Sequence, residues 1–325
     1  MLSKISVAPM MACTDRHCRY LFRLLSPNTM LYSEMITTGA LIHGNRSLLL
    51  DHHLDAPTGV QLGGSDPAQL AQAAQMVEQA GYQEVNLNCG CPSDRVQQGG
   101  IGACLMASPE LVADCYVAMN EAVSIPVTIK SRIGIDDQDD YAFFEIFIEH
   151  LYRAGCRDFQ IHARKAILTG LSPRENRDIP PLNYDFVRQI IEDFPEAEFV
   201  LNGGIKTVQA VTSLLTEFPG VMLGRAPYGN PYMLAEIDHL IFDTALPTRL
   251  DIAVQYQQYM EQQISAGTHI KHMLRHLSGL YTGLPGARAF RRCLSTTMYS
   301  DDADTRVLDR ALQAVEPIEQ LRTGT

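Results

Sequence analysis

Residues 84–100, "EVNLNCGCPSDRVQQGG", close an apolar run with Cys89 and Cys91 one residue apart, followed at once by Pro92 and a glycine-rich loop. Thiols at this spacing could ligate a metal, form a redox pair, pack inertly or move a proton. A zinc or iron–sulfur site needs further closely spaced ligands, and Cys13, Cys18, Cys104 and Cys115 are scattered, so no metal is expected. A disulfide across so short a gap would be strained. Inert packing and proton transfer remain. Cys89 sits inside the strand-end run, where a thiol is buried and inert. Cys91 begins the loop. An ordinary thiol, with a pKa of about 8.5, is mostly protonated at pH 7 and can serve as a general acid.

Other polar groups stand at the ends of apolar runs. They are Pro9, Met10 and Met11, then Gln61, Asn88, Lys130 and His162, and further on Asn202, Gly203, Gly204, Gly224 and Arg225. Paired glycines in "LNGGIKT" let backbone N–H groups approach an anion, with help from a helix that begins there. The arginine of "LGRAP" adds a bidentate contact. Lys130, His162 and Gln61 would ring a flat heterocycle whose phosphate tail lies on those two loops. A reduced flavin carries negative charge that a nearby cation stabilises, so FMN fits this set. No G-x-G-x-x-G follows a strand, which weakens a dinucleotide-binding reading.

Such a set needs a scaffold that brings many strand ends together. Eight short β-rich runs occur: "KISVAPM", "TMLYSEM", "TGVQLGG", "EVNLNCG", "PVTIKSR", "DFQIHAR", "EFVLNGG" and "GVMLGRA". Most are near-continuously apolar, as for parallel strands buried on both faces. Helical segments lie between several. In "SDPAQLAQAAQMVEQAGY", Asp66 is the N-cap, Pro67 opens the helix, Leu70, Ala73, Ala74 and Val77 form one face, and Gly81 ends it. "SPELVADCYVAMNEAV" repeats the design from Ser108. The class is α/β, a (β/α)8 TIM barrel whose active site forms at the C-terminal strand ends; a doubly wound open sheet is the runner-up. From about Pro231 the pattern turns purely helical, up to "DTRVLDRALQAVEPIEQL". The expected division is a catalytic barrel over residues 1–235 and a smaller all-helical domain over 236–325.

The chain has 325 residues, 46% hydrophobic and 19% charged, with a net charge of −11. That balance argues on average against a polyanionic partner. Yet no Asp or Glu occurs from Gln262 to Ser300, where Lys271, Arg275, Arg288, Arg291, Arg292 and three histidines stand. On a helix the last three arginines share one side. The opening "MLSKISVAPMMAC" is too weakly basic and too short in its apolar run for a signal peptide, and its residues 5–10 are read as a strand. No apolar run is long enough to span a bilayer. Eight cysteines without a C-x-x-C suit free thiols in a reducing cytoplasm.

Taken together, "VAPMMACTDRHCR", "QLGG", "VNLNCGCP", "TIKSRIG", "HARKAILTGLSPRENRDIPPLNY", "NGGI" and "MLGRAPYGNP" resemble the tRNA-dihydrouridine synthases, the fifth of these segments their A subfamily. The resemblance runs from residue 5 to about 300. It implies an FMN-bearing barrel with a helical tRNA-binding domain, and an NADPH-driven reduction of U20 and U20a in the tRNA D-loop. In that reaction flavin N5 passes hydride to uracil C6 and Cys91 protonates C5. The strand-end residues named above fall where the family binds FMN, and Asn88 falls where it touches the uridine. Arg174 and Arg177, and with a looser alignment Arg288 and Arg291, fall where tRNA is positioned. No obligate protein partner is implied. The chain departs from the family pattern at Ala12 and Cys13, where an aromatic or apolar residue is expected. A barrel acting on a free dihydropyrimidine would leave the acid-free helical stretch unexplained, and a flavin-bearing RNA binder without turnover would have no need of Cys91.

Overall fold

The computed structural model describes residues 3–52, 55–298 and 304–315. Its strands are β1 (Ile5–Val7), β2 (Met30–Tyr32), β3 (Ile36–Thr37), β4 (Thr58–Gly63), β5 (Glu84–Cys89), β6 (Val127–Arg132), β7 (Asp158–His162), β8 (Glu198–Asn202) and β9 (Gly220–Leu223). Around the barrel lie α1 (Arg16–Leu25), α2 (Thr38–His43), α3 (Arg46–Leu49), α4 (Pro67–Gln79), α5 (Asp94–Gln98), α6 (Pro109–Ala122), α7 (Tyr141–Arg153), α8 (Tyr184–Asp193), α9 (Val208–Leu214), α10 (Arg225–Gly229) and α11 (Met233–Phe242). Four further helices follow: α12 (Arg249–Ser265), α13 (Lys271–Leu277), α14 (Ala287–Thr297) and α15 (Arg306–Leu312).

Every strand pairing is parallel, and β2 pairs with both β1 and β4, so eight strands close into a barrel. These are the eight runs read from the sequence. The ninth strand, β3, is a two-residue addition on the edge of β4. A closed parallel barrel leaves no edge, and its outer face must be covered by helices. α4 does this as expected. The Asp66 carboxylate accepts from the Gln69 N–H at 2.9 Å, and Leu70, Ala73, Ala74 and Val77 are fully buried. At α6, by contrast, Ser108 occupies the N-cap position without a side-chain capping bond.

The lumen is divided. Ala8, Met30, Tyr32, Val200 and Met222 form an apolar half. β5 departs from a continuous apolar run: Val85, Leu87 and Cys89 pack outward, while Glu84, Asn86 and Asn88 are buried polar residues. Strand periodicity of two puts those three on the opposite face, into the lumen.

The expected division between residues 235 and 236 falls inside α11. Met233 and Ile237 of that helix share a core with Ile5, Val221 and Leu223, so α11 closes the barrel's outer layer. The helices after it form a second core with α1. Cys18, Leu21, Phe22 and Leu25 meet Tyr256, Tyr259, Met260, Met273, Leu277 and Phe290 there. Each such side chain contributes roughly 1.5–3 kcal/mol on full burial. Polar contacts join the same helices. Asp15 caps α1 by accepting from His17 N–H at 3.0 Å and Cys18 N–H at 2.9 Å, and it also pairs with Arg275 and His276 of α13. Burial alone would raise the Asp15 carboxyl. Hydrogen bonds and charge from His276, Cys18 N–H and Arg275 outweigh it and hold the group well below the usual carboxylate range. The final helical run read from the sequence is described only as α15 and the residues up to 315; its part from 316 onward lies outside the described residues.

Candidate active site

A cavity of about 1750 Å³ opens at the C-terminal strand ends. Ordinary ligand pockets occupy roughly 300–1,000 Å³, so this one has room for two ligands side by side. Nine Arg and Lys residues line it against four Asp and Glu. In a chain of net charge −11, that reversal of sign focuses a positive field on the mouth.

Cys91 is partly exposed on this wall. Its loop is held from below and from the side. The Asn88 side-chain oxygen accepts from Gly90 N–H at 3.0 Å and from Cys91 N–H at 2.9 Å. Ala103 N–H donates to the Cys91 carbonyl at 2.9 Å. That approach is possible because residue 102 is glycine, with φ of +83°; a Cβ there would stand 2.5 Å from the Cys91 oxygen and 2.5 Å from Val96 Cγ1. Gly102→Val is therefore expected to displace Cys91, changing the alkylation rate of its thiol, and to cost about 1–3 kcal/mol of stability; iodoacetamide labelling and thermal melts of the purified variant check this. Cys89 is inert. It is fully buried, and burial pushes its thiol well above the ordinary range.

Beside the Cys91 loop, from the neighbouring strand β6 onward, the wall carries cations. Lys130 donates to the Asn202 side-chain oxygen at 3.1 Å, and Asn202 donates to the Met222 carbonyl at 2.7 Å. Burial, reinforced by the charge of Arg132, lowers Lys130 to about 7. His162 is held well below its ordinary range by burial and then by Arg132, Lys130, Arg164 and Arg177, so the imidazole is neutral at pH 7. Gly203 and Gly204 have φ of +117° and +73°. A Cβ on Gly203 would come within 2.8 Å of the His162 ring; these positions require glycine. The helix expected to begin there starts later, at Val208 behind its cap Thr207.

Pro9, Met10, Met11, Gln61, Asn88, Cys91, Lys130, His162, Arg177, Asn202, Gly203, Gly204, Gly224 and Arg225 all line this one cavity. Arg225 is not free there, since it forms an ion pair with Asp178 at 2.7 Å. Arg174, Arg288 and Arg291 are exposed and lie outside the cavity wall.

Sequence reasoning missed Arg132 and Arg164. Arg132 ends β6 and Arg164 lies just past β7, each two residues after a residue already named, Lys130 and His162, and strand alternation was the signal. Arg132 donates to the carbonyls of Gly90 at 3.1 Å, Lys165 at 3.1 Å and Asn176 at 2.9 Å. It thus ties the cysteine loop to the loop after β7. His272 of α13 and Thr268, in the connection before that helix, also reach the wall, a contact no local pattern announces.

A closed parallel barrel with its reactive groups gathered at the C-terminal strand ends is the layout of a TIM-barrel enzyme. Morphinone reductase has the same fold, at 11% sequence identity and a TM-score of 0.52 over 76% of this chain and 87% of that one. Residues 6–316 match the family model described as Dihydrouridine synthase (Dus), and the chain belongs to that family of oxidoreductases. Similar proteins include the tRNA-dihydrouridine(20/20a) synthases of Pseudomonas syringae pv. tomato, at 52% identity over 96% of this chain and 94% of the relative, and of Vibrio cholerae, at 49% over 98% of each. That of Escherichia coli is 52% identical over 96% of this chain and 91% of the relative.

Proposed function

We propose that this protein reduces the C5=C6 bond of uridines at positions 20 and 20a of the tRNA D-loop, with a bound flavin mononucleotide and NADPH as reductant. The observation that carries the reading is Cys91 on the wall of the same cavity as a cluster of cations, Lys130, Arg132 and Arg177.

The residues present fit a flavin. Lys130 is a partly buried amine whose one hydrogen bond among the described residues goes to a neutral amide, and its lowered pKa shows a charged form that an anion would stabilise. Lys130, Gln61 and His162 would hold the ring system, with Pro9 to Met11 beneath it. Asn202, the Gly203–Gly204 turn, Gly224 and Arg225 would hold the phosphate; Arg225 exchanges Asp178 for it. When bound, the reduced flavin supplies the hydride that adds to uracil C6. Cys91 gives its proton to C5. Asn88 orients the base and holds the Cys91 loop. Wall residues exclude water from the reacting carbons.

A uridine inside tRNA must leave its stack to enter such a cavity, and the polyanion needs a cationic path to the mouth. Arg177 stands on the wall and Arg174 on the same exposed loop. Arg288, Arg291 and Arg292 are exposed on α14, and His272 of α13 reaches the rim. The helices after α11 would thus form the tRNA-binding unit. Among the described residues no helix is long and apolar enough to cross a membrane. The eight free cysteines suit the cytoplasm, where thiols stay reduced.

Purified protein, NADPH and unmodified tRNA should yield dihydrouridine at the D-loop by nuclease digestion and mass spectrometry, whereas free uridine should give none. Equal turnover of free uridine would turn the reading toward a small-molecule reductase. Converting Arg288 and Arg291 together to Gln should weaken tRNA binding and lower the slope of log affinity against log salt by up to about two, roughly one per phosphate contact. Filter binding across a salt series measures it, and an unchanged slope would remove these residues from the path.

A further inference from the structure

One buried titratable group takes no part in the reaction described above. Glu84 opens β5 at the base of the barrel and is 6% exposed. It lies four residues from Asn88, about 13 Å along the strand. Between them runs an unbroken chain of side-chain hydrogen bonds. Asn88 donates to the Gln61 oxygen at 2.7 Å, and Gln61 donates to the Asn86 oxygen at 2.7 Å. Asn86 spends its two amide hydrogens on two branches, to the Thr128 hydroxyl at 2.8 Å and the Gln160 oxygen at 2.6 Å. Gln160 donates in turn to the Tyr32 hydroxyl at 3.3 Å. Both branches end on one atom: Thr128 and Tyr32 each donate to Glu84 Oε1 at 2.6 Å.

Every hydrogen in this chain points from mouth to base. At the mouth, the Asn88 oxygen accepts from the Gly90 and Cys91 N–H groups. At the base, an oxygen that accepts twice terminates the chain. We infer that Glu84 is a positioning residue: as the terminal acceptor of a one-way chain, it fixes which way the Asn88 and Gln61 amides point at the mouth. The inference rests on the proposed roles of Cys91, Asn88 and Gln61. Burial raises the Glu84 carboxyl to about 7, against the hydrogen bonds from Thr128 and Tyr32, and Oε1 can accept in either protonation state.

Removing the acceptor should reverse the chain. In Glu84→Met, a side chain of similar volume, the Thr128 and Tyr32 hydroxyls must find other acceptors, and the nearest are the Asn86 and Gln160 amides once flipped. The flips propagate until the Asn88 NH2 faces the Cys91 N–H. Glu84→Gln keeps an oxygen at the same place and should rescue. The test uses the full-length protein. Turnover should fall about tenfold or more in Glu84→Met with the KM for tRNA unchanged, and Glu84→Gln should stay within about threefold of the parent.

A second readout needs neither turnover nor cofactor. The iodoacetamide alkylation rate of the Cys91 peptide, followed by mass spectrometry, should change in the same direction in Glu84→Met and Asn88→Ala, and no further in the double variant. Substitutions this far apart ordinarily add, so additive effects would overturn the chain. So would parent-like turnover and alkylation in Glu84→Met, or equal loss in both Glu84 variants. If Glu84→Met does not fold, Thr128→Val with Tyr32→Phe cuts both branches above Glu84 and should reproduce the effect. The alkylation cycle stands even if Cys91 proves not to be the acid, which a turnover assay of a Cys91 variant decides separately.

Discussion

Cys91→Ala is expected to lower dihydrouridine formation by at least about 100-fold, the lower end of what a positioned general acid contributes, while flavin content and NADPH oxidation stay near the parent level. The split follows from the layout of the cavity. The groups that would hold the cofactor's flavin edge and phosphate come mainly from the ends of β6, β7, β8 and β9, whereas Cys91 follows β5 and is secured by Asn88 and Ala103. Removing the sulfur leaves both anchors in place, because they act on the backbone of residue 91. Cys89→Ala is the matched control, since that thiol packs outward in the core and its loss should cost stability alone. Stopped-flow absorbance separates flavin reduction by NADPH from its reoxidation by tRNA, and only the second should slow. A Cys91→Ala protein that reoxidised at the parent rate would take the proton from elsewhere, and the assignment would fail.

The second large effect is a trade between binding and stability. Lys130→Met should weaken flavin binding about 10–100-fold, the worth of one charge-assisted hydrogen bond, yet make the cofactor-free protein more stable. The sign follows from the depressed pKa of Lys130, about 7 against an ordinary 10.5. Below pH 7 the folded protein holds this lysine charged at a cost that the unfolded chain does not bear. The cost is relieved as pH rises from 7 to 10.5, where the unfolded chain too loses its proton. Because the ammonium faces a cavity that water enters, the gain on substitution is only about 2 kcal/mol at neutral pH, and it should vanish toward pH 11. An anion placed beside Lys130 reverses the shift, so flavin binding at pH 8 should take up a proton that the variant does not. Calorimetry in two buffers of different ionisation enthalpy measures the uptake, and thermal melts across pH measure the stability. A parent protein that bound flavin without proton uptake would place its negative groups elsewhere.

Much of this was legible in the sequence because it is local. Runs of apolar residues a strand long, a cap such as Asp66 followed by Pro67, and glycine pairs such as Gly203–Gly204 each state a backbone requirement within a few residues. Their order in the chain, strand and helix in turn, leaves few folds open, and in a barrel it dictates which end of each strand carries chemistry. The list of residues at those ends therefore translated directly into the lining of one cavity.

What needed the tertiary structure was every relation that crosses the ring. Arg225 looks like a free phosphate ligand until Asp178 is found beside it. Residues 235 and 236 look like a boundary until α11 is seen to cover β1 and β9. The acid-free stretch reads as a separate surface, yet α13 is tied through Arg275 and His276 to Asp15 at the mouth. Glu84 reads as the polar start of a strand, and only barrel closure sets it under Thr128, Tyr32 and Gln160 from three other strands. Sequence alone determined the strands, their ends and the thiol that faces the mouth, because propensity and spacing act over a few residues. Tertiary structure decided which charges are paired and how the amides point, because those depend on neighbours dozens of residues away that only closure of the ring brings within hydrogen-bond distance.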